Sequence, residues 1–221
     1  MPRQRITNYH TENSPEKKMA WVKNMQITTA ILSGQLVIPD DGAPILPLPL
    51  PCQYWTLAND QSHEESEISA LVHRGFIQPE QFYGVDLNGV WYDGNRAANP
   101  SAHFFTDDLL HAMRTVPNSN PSVIYLDTTE GLTKRNLRFL VGTMECCPEG
   151  AILFFNFSEN NPYDVTHRRT KKKDVNLFIA ELKESSGLEL SKWNTKVLSY
   201  RYNQTGFTNM VTLVFFKRRL A

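Results

Sequence analysis

The sequence predicts an α/β fold built on a mostly parallel sheet of seven strands that ends in an antiparallel β-hairpin. Three observations predict it. Short apolar runs alternate with stretches that repeat at helical spacing. Each of the first five runs closes on Asp or Asn, the residues that end strands and cap helices. The last two β-rich runs are joined by a short segment containing Gly206, which reads as a hairpin rather than a crossover.

Residues 1–51 are expected as an N-terminal helix and a proline-rich linker, and residues 52–221 as the main α/β domain. Ser14 is placed to cap that helix with Pro15 in its first position, and Met19, Val22, Met25 and Leu32 share one face. Five prolines between Pro39 and Pro51 forbid a regular central element and favour stiff, extended backbone. Tyr54 to Ala58 is the first strand, closed by Asn59 and Asp60. Ile68, Leu71 and Val72 then mark a helix, with Gly75 at its C-cap. Phe82 to Val85 is the second strand and Asp86 ends it. Two such strands joined by a helix form a parallel pair with a right-handed crossover.

Asn88 to Ser101 is rich in Gly, Asn and Asp and reads as a long connection carrying Trp91 and Tyr92. Ala102 to Phe105 is the third strand. Asp107 or Asp108 ends it and caps a helix from Leu109 to Val116. Val123 to Leu126 is apolar throughout, as a central parallel strand should be, and Asp127 closes it. A helix follows from Leu132 to Cys147, then the fifth strand Ala151 to Phe155 with Asn156 at its end. Residues 158–173 are polar and include HRRTKKK at 167–173. Asp174 caps a helix carrying Val175, Phe178, Ile179 and Leu182 on one face. The hairpin strands are expected at Lys196 to Tyr202 and Asn209 to Phe216.

Bulk properties narrow the function classes. The 221 residues carry 23 Lys+Arg against 23 Asp+Glu, which argues against general affinity for nucleic acid or membrane but leaves room for a local patch. Cys52, Cys146 and Cys147 are too few, and too badly spaced, for a disulfide framework, so a reducing, cytoplasmic setting is expected. MPRQRITNYH at the start has no apolar signal core, and no apolar run is long enough to span a membrane. No Cys/His cluster has metal spacing, and His63, Glu64 and Glu65 sit together where a helix start favours acids, so no metal is expected.

In open α/β sheets ligands bind beyond the carboxyl ends of the strands. Asn59-Asp60, Asp86, Asp107-Asp108 and Asp127 all fall on that rim. Taken singly, each is more often a cap than a ligand; their recurrence at one rim is the functional signal. Five parallel-type strands closed by a hairpin that inserts a reversed strand resemble the Rossmann-like, three-layer class I S-adenosylmethionine-dependent methyltransferases. The resemblance covers Cys52 to Leu220. It implies S-adenosyl-L-methionine as cofactor. It places Ala58, Asn59 and Asp60 against the cofactor's methionine part, Asp86 on its ribose, Leu87 beside its adenine, Asp107 or Asp108 and the following Leu109 near the adenine amine, and Asp127 and Thr128 beside the transferable methyl, with Asp127 as the catalytic candidate. The departure from the family is the first loop, Leu57-Ala58-Asn59-Asp60-Gln61-Ser62, which contains no glycine.

Two function classes follow. One is a methyltransferase acting on nucleic acid, with Arg168, Arg169, Lys171, Lys172 and Lys173 on phosphates and Trp91 and Tyr92 stacking on a base. The other is a methyltransferase-like fold without catalysis, serving as a binding module of viral or mobile-element origin, as the glycine-free loop invites. A nicotinamide-binding domain shares much of the order, and the missing GxGxxG counts against it.

Overall fold

The computed structural model describes residues 22, 25, 26, 28–30, 32, 33, 52–62, 66–131, 134–158, 180, 182, 193–198 and 210–217. Seven strands form one sheet: β1 (Gln53–Leu57), β2 (Phe82–Val85), β3 (His103–Phe105), β4 (Pro121–Gly131), β5 (Ile152–Ser158), β6 (Trp193–Leu198) and β7 (Met210–Lys217). Their spatial order is β3-β2-β1-β4-β5-β7-β6. The first five are parallel, and β7 runs antiparallel between β5 and β6. Helices α1 (Glu67–Leu71), α2 (Tyr92–Ala98), α3 (Leu109–Thr115) and α4 (Lys134–Cys146) fill the connections.

Side chains alternate across the sheet with period two, and both faces are covered, so the central strands carry apolar residues at successive positions. One face holds Trp55, Tyr83, Ile124, Leu126, Leu153 and Phe155 against Leu109 and Met113 of α3 and Leu137, Leu140 and Met144 of α4. The other holds Tyr54, Phe82, Phe104, Tyr125, Phe154 and Val214 against Ile68 and Leu71 of α1 and against Met25. The sandwich thus has three layers and two cores. Gly84 is required in β2: a Cβ there would lie 2.8 Å from the Phe104 ring and 3.0 Å from Ala58 Cβ. The second and third strands and the first rim loop close up on that missing side chain.

Several boundaries differ from expectation, each for a physical reason. The stretch from Asn88 to Ser101 contains α2 instead of running as loop throughout. Its sequence lacks an apolar stripe because the helix is held by polar bonds from Asn95, which is 1% exposed. β4 and β5 run on past Asp127 and Asn156, since Gly131 pairs with Ser158 across an irregularity in β4. On its other edge β5 pairs with β7 as far as Ser158 and Met210. Polar residues extend these strands because ladder bonds, from β4 to β5 and from β5 also to β7, outweigh weak propensity. β6 starts at Trp193, ahead of the expected Lys196. Pro39–Pro51 and the HRRTKKK stretch lie outside the described residues.

Candidate functional site

The sheet order reverses at β1 and β4, and the carboxyl ends of these two strands with β2 form the rim where ligands bind in such sheets. Ala58 leaves β1 buried, its N–H donating to Val85 C=O at 2.8 Å. Asn59 and Asp60 then turn outward. The Asp60 carboxylate accepts from Ser62 N–H at 2.9 Å, closing an Asx turn.

Asp86 sits one residue beyond β2. Gly89, at φ +64°, donates its N–H to Asp86 C=O at 3.2 Å and closes a tight turn. Oδ1 of Asp86 accepts from Asn88 N–H at 3.0 Å and Oδ2 from Trp91 N–H at 3.2 Å. An ionised carboxylate offers about four acceptor positions, so two remain for a further partner. Leu87 beside it is 61% exposed and Val90 68%, an apolar ledge next to a fixed anion. Trp91 and Tyr92 begin α2, both half-buried. Arg96 lies over the Tyr92 ring, 5.4 Å from its centroid, and donates to its hydroxyl at 2.9 Å.

After β3, the two acids have different duties. Asp108 is the N-cap of α3, accepting from Leu110 N–H at 2.9 Å and His111 N–H at 3.2 Å. Asp107 meets His111 Nδ1 at 2.6 Å, and that bond holds its carboxyl below the usual carboxylate range. The Leu109 side chain is 2% exposed and belongs to the core, so only its backbone borders the rim.

Asp127, in β4, is in register with Asn156 of β5, whose amide donates to Asp127 Oδ1 at 2.8 Å. Thr128 donates to Asn156 C=O at 2.7 Å. Among the candidates, the structure gathers Ala58, Asn59, Asp60, Asp86, Leu87, Asp107, Asp108, Asp127 and Thr128 at one end of the sheet, with Trp91 and Tyr92 on the adjoining helix. Arg168, Arg169, Lys171, Lys172 and Lys173 lie outside the described residues.

Sequence reasoning missed Glu67. It is 5% exposed at the start of α1, behind the first rim loop. Oε1 accepts from the Thr56 hydroxyl at 2.9 Å and Oε2 from the Gln61 amide. Burial pushes its carboxyl up to about 7, the Asp127 charge adds to the rise, and the bonds from Gln61 and Thr56 pull the other way. Nearby Tyr54 has a buried hydroxyl with no hydrogen bond of normal geometry among the described residues. Burial first, then the Glu67 charge, holds its phenol well above the ordinary value. The only sequence sign of Glu67 was its place directly after the Ser66 cap, where acids are common for helix-dipole reasons.

Burial pushes the Cys52 thiol up to about 12 and the Cys147 thiol well above its ordinary value, so neither is a thiolate near neutral pH. Among the described residues no three His, Cys, Asp or Glu side chains gather around a common point, and no helix is long and apolar enough to cross a membrane.

No protein-family model matches this sequence, and no curated protein matches it either. Solved structures do match. Trm5b from Pyrococcus abyssi superposes with a TM-score of 0.50 at 12% identity, over 93% of this chain and 50% of that one. An rRNA methylase from Streptococcus thermophilus superposes with a TM-score of 0.51 at 11% identity, over 87% of this chain and 95% of that one. This chain therefore spans about half the length of the Trm5b and nearly all of the rRNA methylase. The likeness is one of fold, and the fold is the Rossmann-like methyltransferase fold.

Proposed function

We propose that the chain is an S-adenosylmethionine-dependent methyltransferase. One observation carries the reading: adjacent strands β2, β1 and β4 deliver Asp86, Asn59-Asp60 and Asp127 to a single rim at the point where strand order reverses. The catalytic unit is taken as residues 52–221, with 1–51 as an appended helix and linker.

The residues fit the cofactor. Asp86, fixed by two backbone N–H groups, keeps acceptor capacity for a ribose diol. Exposed Leu87 offers an apolar face for an adenine. Asp107 is the acid to meet the adenine amine, because Asp108 is committed to the α3 cap. Ala58, Asn59 and Asp60 border the methionine end, and Asp127 with Thr128 stands on the acceptor side. When bound, the cofactor supplies an electrophilic methyl group. The chain's own contribution is then largely alignment. Asp127, steadied by Asn156, is the group that orients the attacking atom of the acceptor and receives its proton.

Replacing Asp86 with Ala is expected to weaken binding of S-adenosylmethionine by about 1.5–3 kcal/mol, through loss of charge-assisted hydrogen bonds. Isothermal titration of both proteins measures this. Equal affinities would remove Asp86 from the site.

For the acceptor, the reading takes nucleic acid. HRRTKKK at 167–173 supplies the charge, and the Arg96-backed Tyr92 with Trp91 supplies aromatic surface beside Asp86. The Streptococcus thermophilus structure of the same fold is an rRNA methylase. If about four phosphates are neutralised, log affinity should fall against log salt with a slope near −0.7 per contact on single strands, or about −0.9 on duplex. Exchanging Arg168, Arg169, Lys171, Lys172 and Lys173 for Ser should flatten that slope and leave cofactor affinity unchanged. A salt-independent signal, or none, would turn the reading to a small-molecule or protein acceptor.

A second reading, a binding module without catalysis, is favoured by one specific feature. The rim acids already have partners: Asp86 on two backbone N–H groups, Asp107 on His111, Asp108 on its own helix. Cofactor that co-purifies with the chain and is seen by mass spectrometry would set that reading aside.

A further inference from the structure

The first rim loop has no glycine, and yet it turns sharply out of β1 with its flanking backbone groups paired. The pairing comes from side chains that are almost fully buried. Asn95 of α2 is 1% exposed, Gln61 2%, Glu67 5% and Thr56 0%. Asn95 brackets Asp60 from behind: its Oδ1 accepts from Gln61 N–H at 2.7 Å, and its amide donates to Asn59 C=O at 2.8 Å. Asn99, one turn on, donates to Gln61 C=O at 3.3 Å. The Gln61 side chain turns inward, donating to Glu67 Oε2 while its Oε1 accepts from Ile68 N–H at 3.2 Å. Glu67 is held in turn by Thr56. The loop's conformation is therefore set from α2 on one side and from α1 on the other.

We propose that Asn95 is the positioning residue of the first rim loop, fixing Asn59-Asp60 for the cofactor's methionine end through Gln61 and joining that loop rigidly to the helix that begins at Trp91–Tyr92. This rests on the methyltransferase reading for the identity of the ligand, but the loop's dependence on Asn95 does not. A buried amide of this kind is worth little as general packing. Its value is geometric, because it answers a donor and an acceptor two residues apart on a strand end that no neighbouring strand pairs. It also means that a ligand ordering the loop would be felt by α2, and the converse.

Amide hydrogen exchange and titration with S-adenosylhomocysteine test this together. In Asn95→Leu, the Gln61 N–H loses its acceptor. Its exchange should quicken about tenfold, the equivalent of one net hydrogen bond. The amides of Trp55 in β1 and Val85 in β2 should keep their protection. The dissociation constant for S-adenosylhomocysteine should rise about tenfold in the same protein. Asn95→Asp keeps the acceptor for Gln61 and should leave that one amide protected, while still weakening the ligand because the donor to Asn59 is gone. If Asn95→Leu does not fold, Asn99→Ala, which removes the bond to Gln61 C=O and a longer one to Asn95 C=O while leaving the Asn95 side chain in place, should give a smaller acceleration confined to residues 58–62. The proposal is overturned if Gln61 exchanges at the wild-type rate in Asn95→Leu, or quickens only in step with the whole sheet. A wild-type chain that binds no S-adenosylhomocysteine would instead overturn the methyltransferase reading, and the exchange result would still decide the role of Asn95.

Discussion

Between about pH 5 and pH 8 the folded chain is expected to lose on the order of 2–3 kcal/mol of stability through Glu67 alone. The sign follows from the direction of the shift. Burial raises the carboxyl from 4.5 to about 7, so between those values the folded state binds a proton that the unfolded chain has released. Stability must then fall as pH rises through that window and level off above it. Glu67→Gln is the informative variant. Its amide oxygen can take the Gln61 bond, and its NH2 can donate to Thr56 Oγ1, so the geometry survives while the charge is gone. Urea midpoints measured across that range, wild type minus variant, isolate the residue from every other titrating group. The variant should match wild type at the acid end and exceed it above about pH 7. Parallel pH profiles would show that Glu67 is not desolvated as the structure has it.

Trp55→Ala is expected to be the most destabilising single substitution in the sheet, by about 3–5 kcal/mol. The side chain is 0% exposed. Its ring stacks on Tyr83 at 4.4 Å and lies 6.3 Å from Phe105, an aromatic row across β1, β2 and β3. Its indole N–H donates to Gln53 Oε1 at 3.1 Å, and the same oxygen takes Asn120 N–H at 2.7 Å, tying the row to the entry of β4. Alanine leaves a large void that β-strands on a packed sheet cannot collapse to fill. Domains of this size are stable by about 5–15 kcal/mol in total, so the variant should be close to unfolding. A fall in the urea midpoint at unchanged slope would confirm it, and Trp55→Phe should recover most of the loss. A midpoint within about 1 kcal/mol of wild type would mean that the two cores are not packed as described.

What the sequence made legible follows from how local each cause is. β1, β2 and the centre of β4 announce themselves because both sheet faces are buried, so apolar residues run without a gap. Asp86 was legible as the residue that ends β2, and Asp127 as the acid that closes the apolar run of β4, although the strand itself continues to Gly131. Helix α2 was not legible: Tyr92-Asp93-Gly94-Asn95-Arg96-Ala97-Ala98 has a glycine, no apolar stripe and no capping side chain. It persists through Asn95, whose partners are more than thirty positions away. The overhang of β4 and β5 past Asp127 and Asn156 is likewise a product of pairing partners, which local propensity does not contain. Glu67 was hidden among the acids of a helix start, where a charge has an ordinary explanation. Only the approach of Thr56 and Gln61 from the first strand and its loop shows it to be buried. The loss of glycine from the first loop was plain in the sequence as a departure, and its compensation by Asn95 was not.

The most direct test of the central claim is calorimetric titration of the wild-type chain with S-adenosylmethionine and, separately, with S-adenosylhomocysteine. The rim described here should bind both in the micromolar range, about −8 kcal/mol, with Asp86→Ala weaker by the margin given above. No measurable heat from either compound at about millimolar concentration, about −4 kcal/mol, would contradict a cofactor site at this rim.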